Sequence, residues 1–143
     1  MLTSLERKLE LILKLLDKLT LKGSKGIPTI VEGKKDLVAL RTIGVHGRII
    51  CVKNSGKILV DLLDDVKSEE VTLLVDFDES GVFLAKRITS YLEGKGVKVD
   101  TVLWREARAL MRRDVKDIEG VPSYLEKLKK RVNIKGQVIQ SEQ

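Results

Sequence analysis

Four short apolar runs, spaced by helix-length segments, constrain this chain more than any other feature. They cover residues 27–31, 49–52, 71–75 and 97–103. Runs of this length suit strands, and their near-continuous apolar character suits strands buried on both faces. The segments between them carry helical patterns. Residues 35–43 end near Gly44, and residues 56–63 have Ser55 as an N-cap. Residues 81–92 place Leu84, Ala85, Ile88, Tyr91 and Leu92 on one face before a stop at Gly94 or Gly96. Strand and helix alternate as β-α-β-α-β-α-β. That order predicts an α/β fold with a Rossmann-like, parallel four-stranded sheet flanked by helices.

An amphipathic helix is predicted over residues 2–22. Thr3 and Glu6 have capping-box spacing. Leu2, Leu5, Leu9, Ile12, Leu16 and Leu19 recur at alternating steps of three and four, a heptad-like seam. Leu11, Leu13, Leu15 and Leu21 widen the stripe, and Gly23 is a helix stop. Packing on its own domain is the first reading of this seam; a homo-oligomer formed through the helix is the other. After Trp104 the chain turns basic, with Arg105, Arg108, Arg112, Arg113 and Lys116 ahead of Asp117 and Glu119. Pro122 suits the first turn of a last helix, which presents Tyr124, Leu125 and Leu128 on its apolar side. The domain reading is an N-terminal helix over 1–23, a core over 24–104, a basic helical extension over 105–132 and a flexible tail over 133–143.

Composition narrows the function classes. With 43% hydrophobic residues in 143, the chain supports one ordered domain. A net charge of +6 favours an anionic partner, nucleic acid before others. A soluble protein with a Lys excess would show the same number. Cys51 is the single cysteine, so an internal disulfide or a cysteine zinc site is excluded, and its apolar run predicts a buried core thiol. His46 is the single histidine, which supports neither a zinc site nor a Ser-His-Asp triad. No apolar run is long enough to cross a membrane. The N-terminus lacks a basic start and a small-residue cleavage site, so a cytoplasmic location is expected.

Chemistry concentrates where the strands end. Asp76-Phe77-Asp78 follows the third run, and Glu32 follows the first. Alternate residues of a strand point the same way, so Asp76 and Asp78 are expected to project together. No opposite charge lies between them, and hard divalent cations, Mg²⁺ above all, take such oxygen ligands. If the first and third strands are neighbours, three carboxylates converge at one edge of the sheet. Gly33 and Gly81 permit close backbone approach there, and helix N-termini supply amides for phosphate.

Val31-Glu32-Gly33-Lys34-Lys35-Asp36, then Val38-Ala39-Leu40 and Gly44, then Asp76-Phe77-Asp78-Glu79-Ser80-Gly81, together resemble the Toprim domain. That domain is shared by topoisomerases, bacterial-type primases, overcoming-lysogenization-defect nucleases and ribosomal RNA maturase nucleases. The likeness covers roughly residues 25–103. The small size and the tail resemble stand-alone archaeal Toprim proteins, and residues 115–128 are similar to the end of the Toprim region in the maturase nucleases. The resemblance implies that Glu32 is a metal ligand or the general acid/base. It implies that Asp76 and Asp78 coordinate Mg²⁺, with Asp76 bridging where two ions bind per subunit, and that Mn²⁺ can substitute. It further implies that Asp36 caps or braces the following helix, and that Gly81 is the family's glycine after the aspartate pair. Topoisomerase chemistry is not expected, since it resembles a tyrosine nucleophile on a separate domain. Primase is not expected without a zinc module, nor an ATPase-coupled nuclease without a Gly-x-x-x-x-Gly-Lys-Ser/Thr loop.

Basic side chains complete the candidate set. Lys34, Lys35, Lys53, Lys57 and Arg87 are candidates to meet phosphate near the strand ends, and Asn54-Ser55-Gly56 to offer amides. Arg105, Arg112 and Arg113 form a candidate nucleic-acid track, with ion pairs to Asp114 and Asp117 as the competing reading. Trp104 reads as a packing residue, with base stacking as its alternative. Three functions follow: a Mg²⁺-dependent enzyme of RNA or DNA phosphodiesters, most simply a nuclease in nucleic-acid processing; a non-catalytic nucleic-acid-binding module of a larger assembly; or an oligomeric scaffold.

Overall fold

The computed structural model describes residues 2–53 and 58–140, and beyond residue 133 it describes the backbone alone. The elements are α1 (Ser4–Ser24), β1 (Thr29–Val31), α2 (Lys34–Thr42), β2 (Ile49–Cys51), α3 (Leu59–Asp64), β3 (Glu70–Leu73), α4 (Glu79–Gly94), β4 (Lys98–Asp100), α5 (Val102–Met111) and α6 (Val121–Gln140). The four strands form one parallel sheet in the order β2-β1-β3-β4. Thr29 lies opposite Ile49 on one side and Thr72 on the other, and Val71 lies opposite Val99. From β1 the chain turns towards β2, and from β3 towards β4. The two connections diverge, which leaves a crevice at the carboxyl ends of β1 and β3. Right-handed crossovers running in opposite directions place their helices on opposite faces. Accordingly α2 packs with α6, α6 with α1 and α1 with α5, while α3 packs with α4.

Burial on both faces explains the apolar strand runs: Ile30, Val31, Val71, Leu73 and Val75 are wholly buried. Helix α1 begins as its capping signal predicts, with Thr3 Oγ1 accepting from Glu6 N at 3.1 Å. Ile12, Leu15 and Leu19 are buried, and Leu5, Leu9 and Leu16 pack half-buried beside them, against α5 and α6. Each fully buried Leu or Ile contributes about 1.5–3 kcal/mol, so the seam is engaged within its own domain. Leu2, Leu11, Leu13 and Leu21 remain exposed.

Three boundaries differ from the sequence reading. The fourth strand ends at Asp100, whose Oδ1 accepts from Val102 N at 2.8 Å and so starts α5. Leu103, Trp104, Ala107 and Met111 then bury one face of α5 at helical spacing, and the expected domain boundary at 104 falls inside this helix. Val97 and Val99 alternate with Lys98 and Asp100, and Val102 and Leu103 add further β-compatible apolar residues, which conceals the change of period. Helix α6 continues to Gln140, well into the segment assigned to a tail, because no proline follows Pro122 to stop it. Cys51 is half-buried, since β2 is an edge strand. Ser55, the expected cap of the third helix, lies outside the described residues, as do residues 141–143.

Candidate metal and nucleic-acid site

Strands β1 and β3 are neighbours, and the sites at their carboxyl ends meet. Glu32, one residue beyond β1, is only 6% exposed. Its Oε2 accepts from Asp76 N at 2.9 Å, and its Oε1 pairs with Lys53 Nζ at 2.7 Å. A buried carboxylate needs both partners. Lys53 follows β2, so three adjacent strands contribute to one point. The aspartates reach it differently from the strand alternation proposed above. Strand pairing ends at Leu73, and Asp78 is the N-cap of α4, its Oδ1 accepting from Gly81 N at 2.7 Å. The pair stands on a loop because the chain must turn from the sheet into α4. Gly81 makes that turn possible: a Cβ there would lie 2.0 Å from the Asp76 carbonyl oxygen.

Later segments hold this loop in place. Trp104 is buried and donates Nε1–H to the carbonyls of Val75 (2.9 Å) and Asp76 (3.3 Å), so it packs and orients rather than stacking a base. Arg108 Nε donates to the Phe77 carbonyl at 2.8 Å. Between α5 and α6, the Lys116 carbonyl accepts from Phe77 N at 2.7 Å, and Ile118 N donates to Asp76 Oδ1 at 3.2 Å. On the other side Asp36 Oδ2 accepts from Gly33 N at 3.1 Å, bracing the start of α2 as the resemblance implies.

The electrostatics show a surplus of negative charge. Burial, and then the Glu32 and Asp36 charges, push the Asp76 carboxyl up to about 7, against the Ile118 amide that favours its ionised form. Burial also raises Asp36, with the Glu32 and Asp117 charges adding to it and the Gly33 amide opposing. Lys53 is raised by its hydrogen bond to Glu32 and further by the Asp76 and Asp78 charges. It is therefore an internal cation facing the carboxylates, a partner the sequence reading did not anticipate for them.

The other candidates separate. Lys34 opens α2, and Lys35 sits 4.0 Å from Glu119 Oε1. Arg87, on α4, lines a groove against α3. Arg105 Nη2 donates to Thr101 Oγ1 at 2.6 Å beside the α4–α5 groove. Arg112 caps the end of α5, with Arg113 beside it. Asp114 instead pairs with Lys8 Nζ and Tyr124 OH, each at 2.9 Å, and Asp117 accepts from Gly120 N at 2.8 Å. Among the described residues the structure thus brings Lys53 to the carboxylates, and brings none of these four arginines into contact with them. His46 is exposed ahead of β2, at the opposite end of the sheet. Asn54, Ser55, Gly56 and Lys57 lie outside the described residues.

The donor set fits a hard divalent cation in type and charge. Asp76 Oδ2 and Asp78 Oδ2 receive no amide or ammonium hydrogen among the described residues, and the Asp76 carboxyl stays raised with Lys53 nearby. Glu32 is engaged by Lys53, and among the described residues no three acidic, imidazole or thiol side chains already form a closed cage. Comparison with known proteins adds kinship. No family model matches the chain. It is 39% identical over 106 residues to a UPF0292 protein of Thermoplasma volcanium, covering 73% of this chain and 87% of that one. It is 35% identical over 119 residues to one of Methanocaldococcus jannaschii (82% and 92%), and 41% identical over 92 residues to one of Thermococcus kodakarensis (64% and 68%). A solved structure of a protein from Aquifex aeolicus is similar with a TM-score of 0.59 and 28% identity, covering 76% of this chain and 95% of that one. No helix among the described residues is long and apolar enough to cross a membrane.

Proposed function

The chain belongs to the UPF0292 family, and on that premise we propose that it is a Mg²⁺-dependent protein of nucleic-acid phosphodiester chemistry, most simply a nuclease acting in RNA or DNA processing in the cytoplasm. The observation that carries this reading is the Glu32 Oε2 to Asp76 N contact at 2.9 Å, which joins the ends of β1 and β3 into one acidic site. The resemblance to Toprim domains supplies the chemical class. Asp76 and Asp78 would hold the ion through carboxylate oxygens that accept no amide hydrogen among the described residues, and Glu32 would serve as the third ligand or the proton carrier on release from Lys53. A Mg²⁺ ion held by these residues would supply charge stabilisation to the phosphate oxygens. Lys53 then turns from Glu32 to the phosphate, and Lys34 is placed at the start of α2 to assist. Trp104 and Arg108 keep the Asp76–Asp78 loop in position through its carbonyls.

One observation favours a second reading. Both oxygens of Glu32 are already satisfied within the protein, as in a nucleic-acid-binding module that keeps the site without turnover. Incubation with single-stranded and structured RNA and DNA, in Mg²⁺, Mn²⁺ or chelator, separates the two. Cleavage that disappears in Glu32→Gln and Asp76→Asn proteins supports the nuclease. Binding without cleavage in either metal supports the module.

A further inference from the structure

The groove between α3 and α4 contains an anomaly in a chain with few aromatics. The sequence has two phenylalanines. Phe77 is sealed beside the acidic site, whereas Phe83 is 65% exposed. Phe83 lies on α4 four residues after Glu79 and four before Arg87, so the three share one stripe of the helix. With Val60, Leu63, Lys86, Arg87 and Tyr91 it lines a groove of about 410 Å³. Lys86 and Arg87 form no ion pair among the described residues, although carboxylates are common on this protein's surface. The helix itself starts at Asp78. At 1.5 Å per residue, Phe83 is about 7.5 Å along the axis from that carboxylate, and Arg87 about 13.5 Å.

We propose that Phe83 is a base-stacking platform for single-stranded nucleic acid, with Lys86 and Arg87 taking the adjoining phosphates, so that α4 leads a strand to the Asp76–Asp78 loop. This deepens the reading of the acidic cluster as a phosphodiester site, and rests on it. An exposed aromatic face next to exposed cations matches the way single strands are held, by stacking on any base together with backbone neutralisation. A duplex hides its base faces and cannot use Phe83 in this way. A purely apolar protein partner would leave Lys86 and Arg87 desolvated without counter-charge.

The test measures binding of fluorescein-labelled oligo(dT) and oligo(U) of about 12 nucleotides, a span within the usual single-strand site sizes, in chelator so that nothing is cleaved. Phe83→Ala is expected to weaken binding about tenfold. Phe83→Trp is expected to retain affinity and to show indole quenching on binding, while Trp104 stays buried and silent. An abasic strand of equal length is expected to bind more weakly and to ignore Phe83→Ala. Lys86→Ala/Arg87→Ala lowers the slope of log affinity against log salt by about 1.4. Equal affinities for wild type and Phe83→Ala would overturn the proposal, as would equal affinity for abasic and normal strands, or no binding of either oligomer by the wild type. A change of solution mass in Phe83→Ala without a change in oligomer binding also overturns it, in favour of a protein interface. Phe83-dependent binding with no cleavage in any metal supports the track while removing the nuclease. Cleavage with Phe83-independent binding removes the track alone.

Discussion

Asp76→Asn should make the metal-free protein more stable. The Asp76 carboxyl is raised to about 7 by burial and by the Glu32 and Asp36 charges. Such a group favours the folded state fully below its unfolded value of about 3.9, and this contribution is lost as the pH rises through about 7. A displacement of about three units corresponds to roughly 4 kcal/mol. Partial solvent access and the nearby Lys53 charge reduce this to about 2 kcal/mol. Asparagine removes the charge while its Oδ1 still accepts the Ile118 amide. For a chain of this size the gain is roughly 4–8 °C in melting temperature near pH 8. Thermal melts in chelator should show the gap close to nothing below about pH 4, where the wild-type carboxyl is protonated in both states. Saturating Mg²⁺ should raise the wild type by about 2.7 kcal/mol at 100 times the Kd and leave the variant nearly unchanged. An Asn variant less stable than wild type near pH 8 in chelator would refute this, because Asp76 would then be a structural acceptor rather than a strained ligand.

Other expectations follow from the same contacts. Gly81→Ala puts a methyl group 2.0 Å from the Asp76 carbonyl oxygen and should cost about 3 kcal/mol in chemical denaturation. Gly94→Ala, with nothing within 4 Å of its added Cβ, should be neutral or stabilise by up to about 1 kcal/mol. Lys53→Ala removes the internal competitor for Glu32, so calorimetric titration should show Mn²⁺ bound roughly tenfold more tightly, while affinity for oligonucleotides falls. Trp104→Phe leaves the Val75 carbonyl without its indole donor and should cost about 1–3 kcal/mol while weakening Mn²⁺ binding.

Local pattern made the α/β alternation, the α1 cap and the placing of Glu32 and Asp76 after the first and third strands readable from the residues. Glu32 was legible because a polar residue that directly follows a buried strand must face the crevice. Lys53, at the end of β2, follows the same rule, yet its pairing with Glu32 depends on strand order, which no local pattern encodes. The first residues of α5 escaped because Val102 and Leu103 look like more of β4, and the arginines that follow hide the buried face of Leu103, Trp104, Ala107 and Met111. The roles of Trp104, Arg108 and Ile118 are likewise invisible in sequence: each acts on the Asp76 loop from 28 to 42 residues away. The four arginines read as phosphate contacts show the converse. Charge identifies a candidate, but only packing decides which charges meet.

The most direct test is a crystal grown with Mn²⁺ in place of Mg²⁺ and measured at the manganese absorption edge. The account predicts an anomalous peak between Asp76 and Asp78, with Glu32 turned from Lys53 towards the ion. Crystals in which the Glu32–Lys53 pair persists and no peak lies near either aspartate, at saturating Mn²⁺ and neutral pH, would contradict it.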